Sequence, residues 1–396
     1  MQKPDPPCTT GGFAANLATM TKAPHLTPPH LTTLAASLPA TVPFVGPEAQ
    51  ERSRGRPFAA RLGANENNFG PSPHAIAAMQ AAATDSWKYP DPEMHDLRHA
   101  IAAHHGCDAT HIMPGEGIDG LLGLVCRLLI GPGDHVVTSA GAYPTFNFHV
   151  AGFGGTLHSV PYTGDYEDPE RLIAKARETQ AKLIYIANPD NPMGSHHAAD
   201  TIARMVDNVP PGALLILDEA YTDLAPPSAI PALDPTDPRV IRMRTFSKAH
   251  GLAGLRVGYA IGAAPLVDAF HKVRNHYGLS RIAQAGAMAA LADRDWLAHV
   301  QGEVAQARTT VGQIARANGL TPLPSATNFV TVDCGRDGAF AKAVLNALLD
   351  QGIFVRMPFV APQSRCIRIS CGSPAELATF ATALPRALAT ARLTQV

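Results

Sequence analysis

From about Gly63 to Ile261 the chain alternates short aliphatic, β-rich runs with longer stretches of helical periodicity. The runs are His135–Ser139, Lys182–Ala187, Ala213–Leu217, Val240–Arg244 and Arg256–Ile261. That rhythm predicts an α/β fold. Ala213-Leu-Leu-Ile-Leu217 shows no polar alternation, as expected of a strand buried on both faces. The expected architecture is therefore a mostly parallel central sheet with helices on both faces. Asp218 closes that run, and open α/β sheets bind ligands beyond the carboxyl ends of their strands, so a charge there is a site candidate. After Asp293 the pattern changes to a long helical stretch ending near Ala317, a strand near Asn328–Val332, a helix near Ala339–Leu349, and strands near Ile353–Arg356 and Cys366–Ser370. This predicts a smaller α+β domain. Residues 1 to about 30, rich in Pro, Thr, Ala and Gly without periodicity, read as a flexible arm. The expected organisation is an arm over 1–30, a large domain over 62–285, and a small domain made of 31–61 and 286–396.

The length of 396 residues agrees with two domains, since one hydrophobic core rarely serves so long a chain. A net charge of -1 with no basic runs argues against a nucleic-acid groove or an anionic membrane surface, and for a small-molecule partner. No apolar run approaches the roughly 18 residues of a spanning helix, and Met1–Met20 lacks the basic and apolar regions of an export signal. The six cysteines include no CxxC pair, which predicts reduced, buried thiols and a cytoplasmic protein.

Candidate chemistry begins with Gly115-Glu-Gly117-Ile-Asp-Gly120, which spells GxGxxG and runs into the apolar stretch Leu121–Ile130. A dinucleotide-binding unit needs a strand immediately before the motif and an acid about 20 residues on. Met113-Pro114 precedes it and Ser139–Ala142 fills the acid's window, so that reading fails. What survives is a helix N-terminus able to hold a phosphate. Thr245-Phe-Ser247-Lys248 follows a predicted strand and leads into Gly251-Leu-Ala-Gly-Leu-Arg256-Val-Gly258. Only eight lysines stand against 24 arginines, which makes a lysine between a hydroxyl residue and a Gly-rich loop less easily dismissed as surface filler. Upstream lie Asp218-Glu-Ala-Tyr221 and Asn188-Pro-Asp-Asn191-Pro-Met-Gly194, each at a predicted strand end. His95/His99 and His196/His197 have metal-like spacings, but no HExxH-type carboxylate supports them, and no metal is expected.

In this order, these blocks resemble the fold-type I pyridoxal-phosphate (PLP) aminotransferases, and among them the histidinol-phosphate aminotransferase-like group, over about residues 36 to 390. Leu38-Pro39 with Gly63-Ala-Asn-Glu-Asn67 is similar to that group's N-terminal signature, and Trp87-Lys-Tyr89-Pro90 to a segment whose tyrosine reaches the neighbouring subunit's cofactor phosphate. The resemblance implies a homodimer in which Lys248 carries PLP as an imine and, once displaced, moves the substrate's proton. Asp218 would pair with the pyridinium nitrogen, while Tyr221 and Asn191 would donate to the ring's phenolate oxygen. Arg256, Ser247 and Thr245 would hold the phosphate together with N–H groups around Gly117, Ile118 and Asp119, and Tyr143 would stack on the ring. Arg368, in Cys366-Ile-Arg-Ile-Ser370, would clamp the substrate's anion, with Asn191 and Asn328 nearby.

The implied reaction exchanges an amino group between an amino acid or similar amine, histidinol phosphate or an aromatic amino acid first among them, and a 2-oxo acid. Decarboxylation, elimination or cyclisation on the same cofactor is the alternative. A PLP-sensing regulator fused to a DNA-binding module is disfavoured, because the first 60 residues carry no helix-turn-helix pattern or basic face. The chain departs from the group at Met193, at Ile118-Asp119-Gly120, at Val42-Pro-Phe44-Val45 and across Val273–Arg281, where Arg274, Asn275, His276 and Arg281 are further substrate candidates.

Overall fold

The computed structural model describes residues 30–40, 45–232 and 234–393. Cys8, most of the arm, and Val42, Pro43 and Phe44 lie outside the described residues. The chain divides into two units, Met1–Leu38 and Pro39–Val396. In the first, a short helix at Thr33–Ser37 is capped by Thr32, whose hydroxyl accepts from Ala35 N.

The second unit is built on a seven-stranded sheet. Its strands are β1 (Ile112–Gly115), β2 (His135–Ser139), β3 (Thr156–Val160), β4 (Leu183–Ala187), β5 (Leu214–Asp218), β6 (Val240–Thr245) and β7 (Gly258–Ile261), in the order β1-β7-β6-β5-β4-β2-β3. β2 to β6 run parallel, and β7 is antiparallel to both β6 and β1. β4, β5 and β6 are buried along their whole length; β4 and β5 accordingly carry no polar alternation before Asp218, while β6 sets Arg242 and Arg244 two residues apart, where Glu219 pairs with both. One apolar cluster, with Leu121, Phe146, Tyr185 and Ile216, fills one side of the sheet, and another, with Ile173, Ile186, Ile202 and Leu217, fills the other.

Two expectations are corrected here. GxGxxG is preceded by a strand after all, β1, but it pairs antiparallel with β7 at the sheet edge and so cannot be the first strand of a parallel dinucleotide unit. The last predicted run starts at Gly258 rather than Arg256, because Arg256 adopts a left-handed backbone with φ 53° and cannot extend a strand.

The remainder of the unit is an α+β arrangement. β8 (Phe329–Asp333) pairs antiparallel with β9 (Cys366–Ser370), and Ala60–Arg61 pairs parallel with Ile353–Phe354. The helices Arg294–Ala317, Gly338–Asp350 and Pro374–Leu393 cover this sheet through a separate core that includes Val311, Val344, Ile367 and Leu384. Among the described residues, no helix is long and apolar enough to cross a membrane. Cys107, Cys126, Cys334, Cys366 and Cys371 are free thiols.

Candidate active site

The carboxyl ends of β4, β5 and β6 open into a cavity of about 270 Å³. Asn191, Asp218, Tyr221, Thr245, Ser247, Lys248 and Arg256 line it, together with Ile118, Asp119 and Tyr143. Residues scattered over more than 130 positions of sequence thus meet because parallel strands deliver their C-termini to one edge.

Asp218 ends β5, fully enclosed. Its Oδ2 accepts from the Tyr185 hydroxyl at 2.7 Å and its Oδ1 from Ala220 N at 2.9 Å. Burial lifts its carboxyl to about 6, against those two donors and Lys248, while neighbouring Glu219 adds to the rise. Glu219 points the other way, with its carboxylate held by Arg242 and Arg244 of β6. Lys248 follows β6 and donates from Nζ to Asn65 O at 3.0 Å. Burial, then Arg368 and Arg256, bring its amine down to about 8.

Opposite Asp218, the helix Gly117–Leu129 aims its first turn at the cavity, where N–H groups have no intrahelical acceptor. Gly117 is left-handed, with φ +74°, and a Cβ there would lie 2.6 Å from Arg256 Nη2. Only glycine therefore leaves room for backbone and guanidinium to crowd one spot. Thr245 Oγ1 donates to Ser247 Oγ at 2.9 Å at the same end of the cavity. Asp119 does not face an anion unopposed: its carboxylate meets His149 Nε2 at 2.9 Å.

A second cavity of about 300 Å³ shares Ala64, Tyr143, Asn191 and Lys248 with the first and continues to Arg356, Met357, Phe359 and Arg368. Arg368 donates from Nη1 to Asn191 Oδ1 and from Nη2 to Gly63 O, and its buried Nε has no partner.

A profile of the family "Aminotransferase class I and II" matches residues 60–384. The chain belongs to this family. It is 36% identical to histidinol-phosphate aminotransferase 1 of Mesorhizobium japonicum over 83% of this chain and 90% of that protein. It is 34% identical to the histidinol-phosphate aminotransferase of Rhodospirillum centenum over 86% and 94%. A crystal structure of histidinol-phosphate aminotransferase from Sinorhizobium meliloti, in complex with pyridoxal-5'-phosphate, is similar with a TM-score of 0.87 and 51% identity, covering 94% of this chain and 99% of that one. The protein is thus a PLP-dependent aminotransferase of fold type I.

The aminotransferase's first cavity fits that cofactor. Its lining combines an acid, Asp218, a lysine, Lys248, an aromatic ring, Tyr143, and a helix N-terminus at Ile118 and Asp119 with Arg256, Thr245 and Ser247, and Gly117 leaves the room in which backbone and the Arg256 guanidinium meet. Besides Gly117, which acts through its backbone, Tyr89 and Asn328 are not lining residues of either cavity. Tyr89 is 80% exposed, with its ring 5.0 Å from that of Tyr277 and its carbonyl accepting from Arg281. Asn328 instead donates to the carbonyls of Asn65 and Glu66. Arg274 bonds the Pro92 carbonyl and is not a lining residue of either cavity.

Sequence reasoning missed Asn65, Tyr185 and Arg356. Asn65, left-handed with φ 54°, donates from Nδ2 to the Tyr221 hydroxyl and accepts from Lys248 and Asn328. It stands within Gly63-Ala-Asn-Glu-Asn67, and the one signal the sequence offers is the residue type, since asparagine is among the few non-glycine residues enriched in the left-handed region. Tyr185 was visible only as an apolar strand residue. Arg356 and Arg368 exchange backbone hydrogen bonds, Arg356 N to Arg368 O at 3.2 Å and Arg368 N to Arg356 O at 2.7 Å.

Proposed function

We propose that this aminotransferase takes its amino group from histidinol phosphate or a closely similar phosphorylated amine and passes it to a 2-oxo acid, with an aromatic amino acid as the next candidate donor. The observation that carries this is the pair Arg356 and Arg368 on one wall of the second cavity. Burial and the neighbouring Arg356 charge depress the Arg368 guanidinium to about 10. Two like charges held together favour a dianion more than a single carboxylate. The names of the similar proteins support the same donor.

Arg256, Ser247, Thr245 and the N–H groups of Gly117, Ile118 and Asp119 would hold the cofactor's phosphate, Asp218 its ring nitrogen, Tyr221 and Asn191 its phenolate oxygen, and Tyr143 its face. When bound, PLP supplies the sink for the electrons left behind as the donor's α-proton departs. Lys248, with an amine near pH 8, is uncharged often enough at neutral pH to take that proton at Nζ and return it. Asp218 would face the ring nitrogen with its carboxylate, which the Tyr185 hydroxyl holds in place. Arg356 and Arg368 orient the donor's anionic end, and Met357 and Phe359 offer apolar surface to its ring.

The exposed cluster Trp87, Tyr89 and Tyr277 supports a homodimer in which Tyr89 completes the neighbouring site. The separate cores support a large domain over 62–285 and a small one that includes 286–396. Five free thiols support a cytoplasmic location. The test is a panel of histidinol phosphate, aromatic and aliphatic amino acids, followed by the visible absorbance of the lysine-linked cofactor. Conversion with histidinol phosphate, and turnover only when a 2-oxo acid is added, is expected. Repeated turnover without an acceptor would overturn transamination in favour of another PLP reaction.

A further inference from the structure

The loop that carries Asn191 is gripped from two sides. Toward the central sheet, Asn188 N donates to Asp218 O at 2.9 Å, and within the loop Gly194 N donates to Asp190 O at 3.1 Å and Met193 N to Asp190 Oδ2 at 3.0 Å. On the other side three contacts come from the α+β part of the unit. Ala326 N donates to Gly194 O at 2.9 Å, Thr331 Oγ1 donates to Pro192 O at 2.6 Å, and Arg368 donates from Nη1 to Asn191 Oδ1. Gly194 has φ +80°, and a Cβ there would lie 2.7 Å from Ser325 Oγ, so the loop meets the segment before β8 as closely as glycine allows.

Thr331 is fully buried in the middle of β8. Strand alternation sends Val330 and Val332 into the apolar core and leaves Thr331 on the opposite face, outside that core. In the antiparallel ladder Thr331 lies directly opposite Arg368 of β9, so the two side chains share a face, with Cβ atoms roughly 5 Å apart. They take hold of consecutive residues, Arg368 of the Asn191 side chain and Thr331 of the Pro192 carbonyl. Valine has the same shape and suits a buried strand as well, so packing alone does not account for a hydroxyl here. The buried Pro192 carbonyl, which needs a donor, does.

We propose that Thr331 is a positioning residue whose hydroxyl, by clasping the Pro192 carbonyl, keeps the Asn191 amide in register with Arg368. Pro192 transmits the grip because its ring fixes φ at about −65° and leaves little freedom between its carbonyl and Asn191. The clasp matters because Asn191 lines both cavities. With Oδ1 taken by Arg368, Nδ2 is the end left to donate to the cofactor's ring oxygen, so a drifting loop weakens that bond and the Arg368 contact together. The effects on cofactor and donor rest on the roles proposed above for Asn191 and Arg368, whereas the clasp rests on neither.

Thr331→Val removes the hydroxyl and keeps the shape, Thr331→Ser keeps the hydroxyl, and Val332→Ala loosens the same strand from its other face. Hydrogen–deuterium exchange of the holoenzyme reads the clasp: amides of Asn191–Ser195 are expected to exchange about tenfold faster in T331V than in wild type, T331S or V332A. The pH titration of the lysine-linked cofactor's visible band reads Asn191. A donor to the ring oxygen disfavours the protonated linkage, so T331V is expected to move the midpoint up by about half a unit or more. KM for the amine donor is expected to rise about fivefold with a smaller change in kcat, and T331S to match wild type in both. V332A, although less stable, should leave band and KM at wild-type values. Asn191→Ala is the reference: if it moves neither, Asn191 has no such role, and exchange alone decides the clasp. Unchanged loop exchange in T331V overturns the clasp. Faster exchange with band and KM both unmoved overturns the positioning role, and so does a V332A that matches T331V in all three readouts. If T331V does not fold, T331A gives the same comparison. A donor other than histidinol phosphate changes only which amine the KM comparison uses.

Discussion

Tyr185→Phe tests the electrostatics of Asp218 with little disturbance to the fold. The substitution deletes a hydroxyl that donates to Asp218 Oδ2 at 2.7 Å and leaves the ring, which stacks on Phe146 with centroids 4.8 Å apart. A buried hydrogen bond to a charged group is worth roughly 1.5–3 kcal/mol. At about 1.4 kcal/mol per pKa unit, its loss raises the Asp218 carboxyl by ~1–2 units. The sign follows from which form the donor favours: the hydroxyl stabilises the carboxylate, so without it the neutral acid persists to higher pH. Asp218 already sits at about 6, so the variant is substantially protonated at pH 7 before the cofactor's own charge acts on it. The assay is kcat/KM for the donor across roughly pH 5–9. The acid limb of Y185F should lie about one unit or more to the alkaline side of wild type, with the two curves converging at high pH. Superimposed profiles, or a shift toward acid, would refute the assignment of that limb to Asp218 and of Tyr185 as its partner.

Gly117→Ala should weaken PLP binding at least about tenfold and cost ~1–2 kcal/mol of stability, read by fluorescence titration and urea unfolding, because its Cβ meets Arg256 and its φ is positive. Arg356→Gln should raise KM for histidinol phosphate more than about tenfold while changing KM for an aromatic amino acid far less; equal changes would speak against a phosphate at this arginine. In the cofactor-free protein, Lys248→Met should be more stable than wild type at pH 7 by ~1–3 kcal/mol, since the folded-state amine, at about 8, binds its proton less tightly than the unfolded chain does. Wild-type stability should then rise as pH climbs from about 8 toward the unfolded value near ~10.4, and the gap to K248M should close, as urea melts would show. Trp87→Ala with Tyr89→Ala should shift sedimentation toward monomer and weaken PLP retention, while a sedimentation coefficient unchanged from wild type would count against the aromatic cluster as an interface.

The strands that the sequence revealed are those whose burial is complete. Leu183–Ala187 and Leu214–Leu217 lie between two apolar layers, so a run without polar alternation is their stable composition and is legible without a structure, whereas the equally buried Val240–Thr245 carries Arg242 and Arg244, which the structure pairs with Glu219. Ile112–Gly115 escaped notice because it contains Pro114. A proline costs a ladder donor, which is tolerable only at a sheet edge, and the edge position is a property of the sheet rather than of the segment.

Lys248, Asp218, Tyr221, Asn191 and Arg256 were readable because each follows a strand or a glycine turn, and because five such positions in one order resemble a known family. Their chemical states were not readable. The values of about 6 for Asp218 and about 8 for Lys248 come from burial beneath residues far away in sequence. Tyr185 reaches Asp218 across two neighbouring parallel strands, Glu167 reaches Ser139 and Ala187 at two strand ends, and Arg356 meets Arg368 through an antiparallel bridge. By itself the sequence determined the central parallel strands, the family and most of the residues that line the first cavity, since local periodicity and short motifs encode them. Only the tertiary structure decided which charges are desolvated and which side chains meet across strands, because electrostatic strength depends on distance and burial, and neither is a property of any single segment.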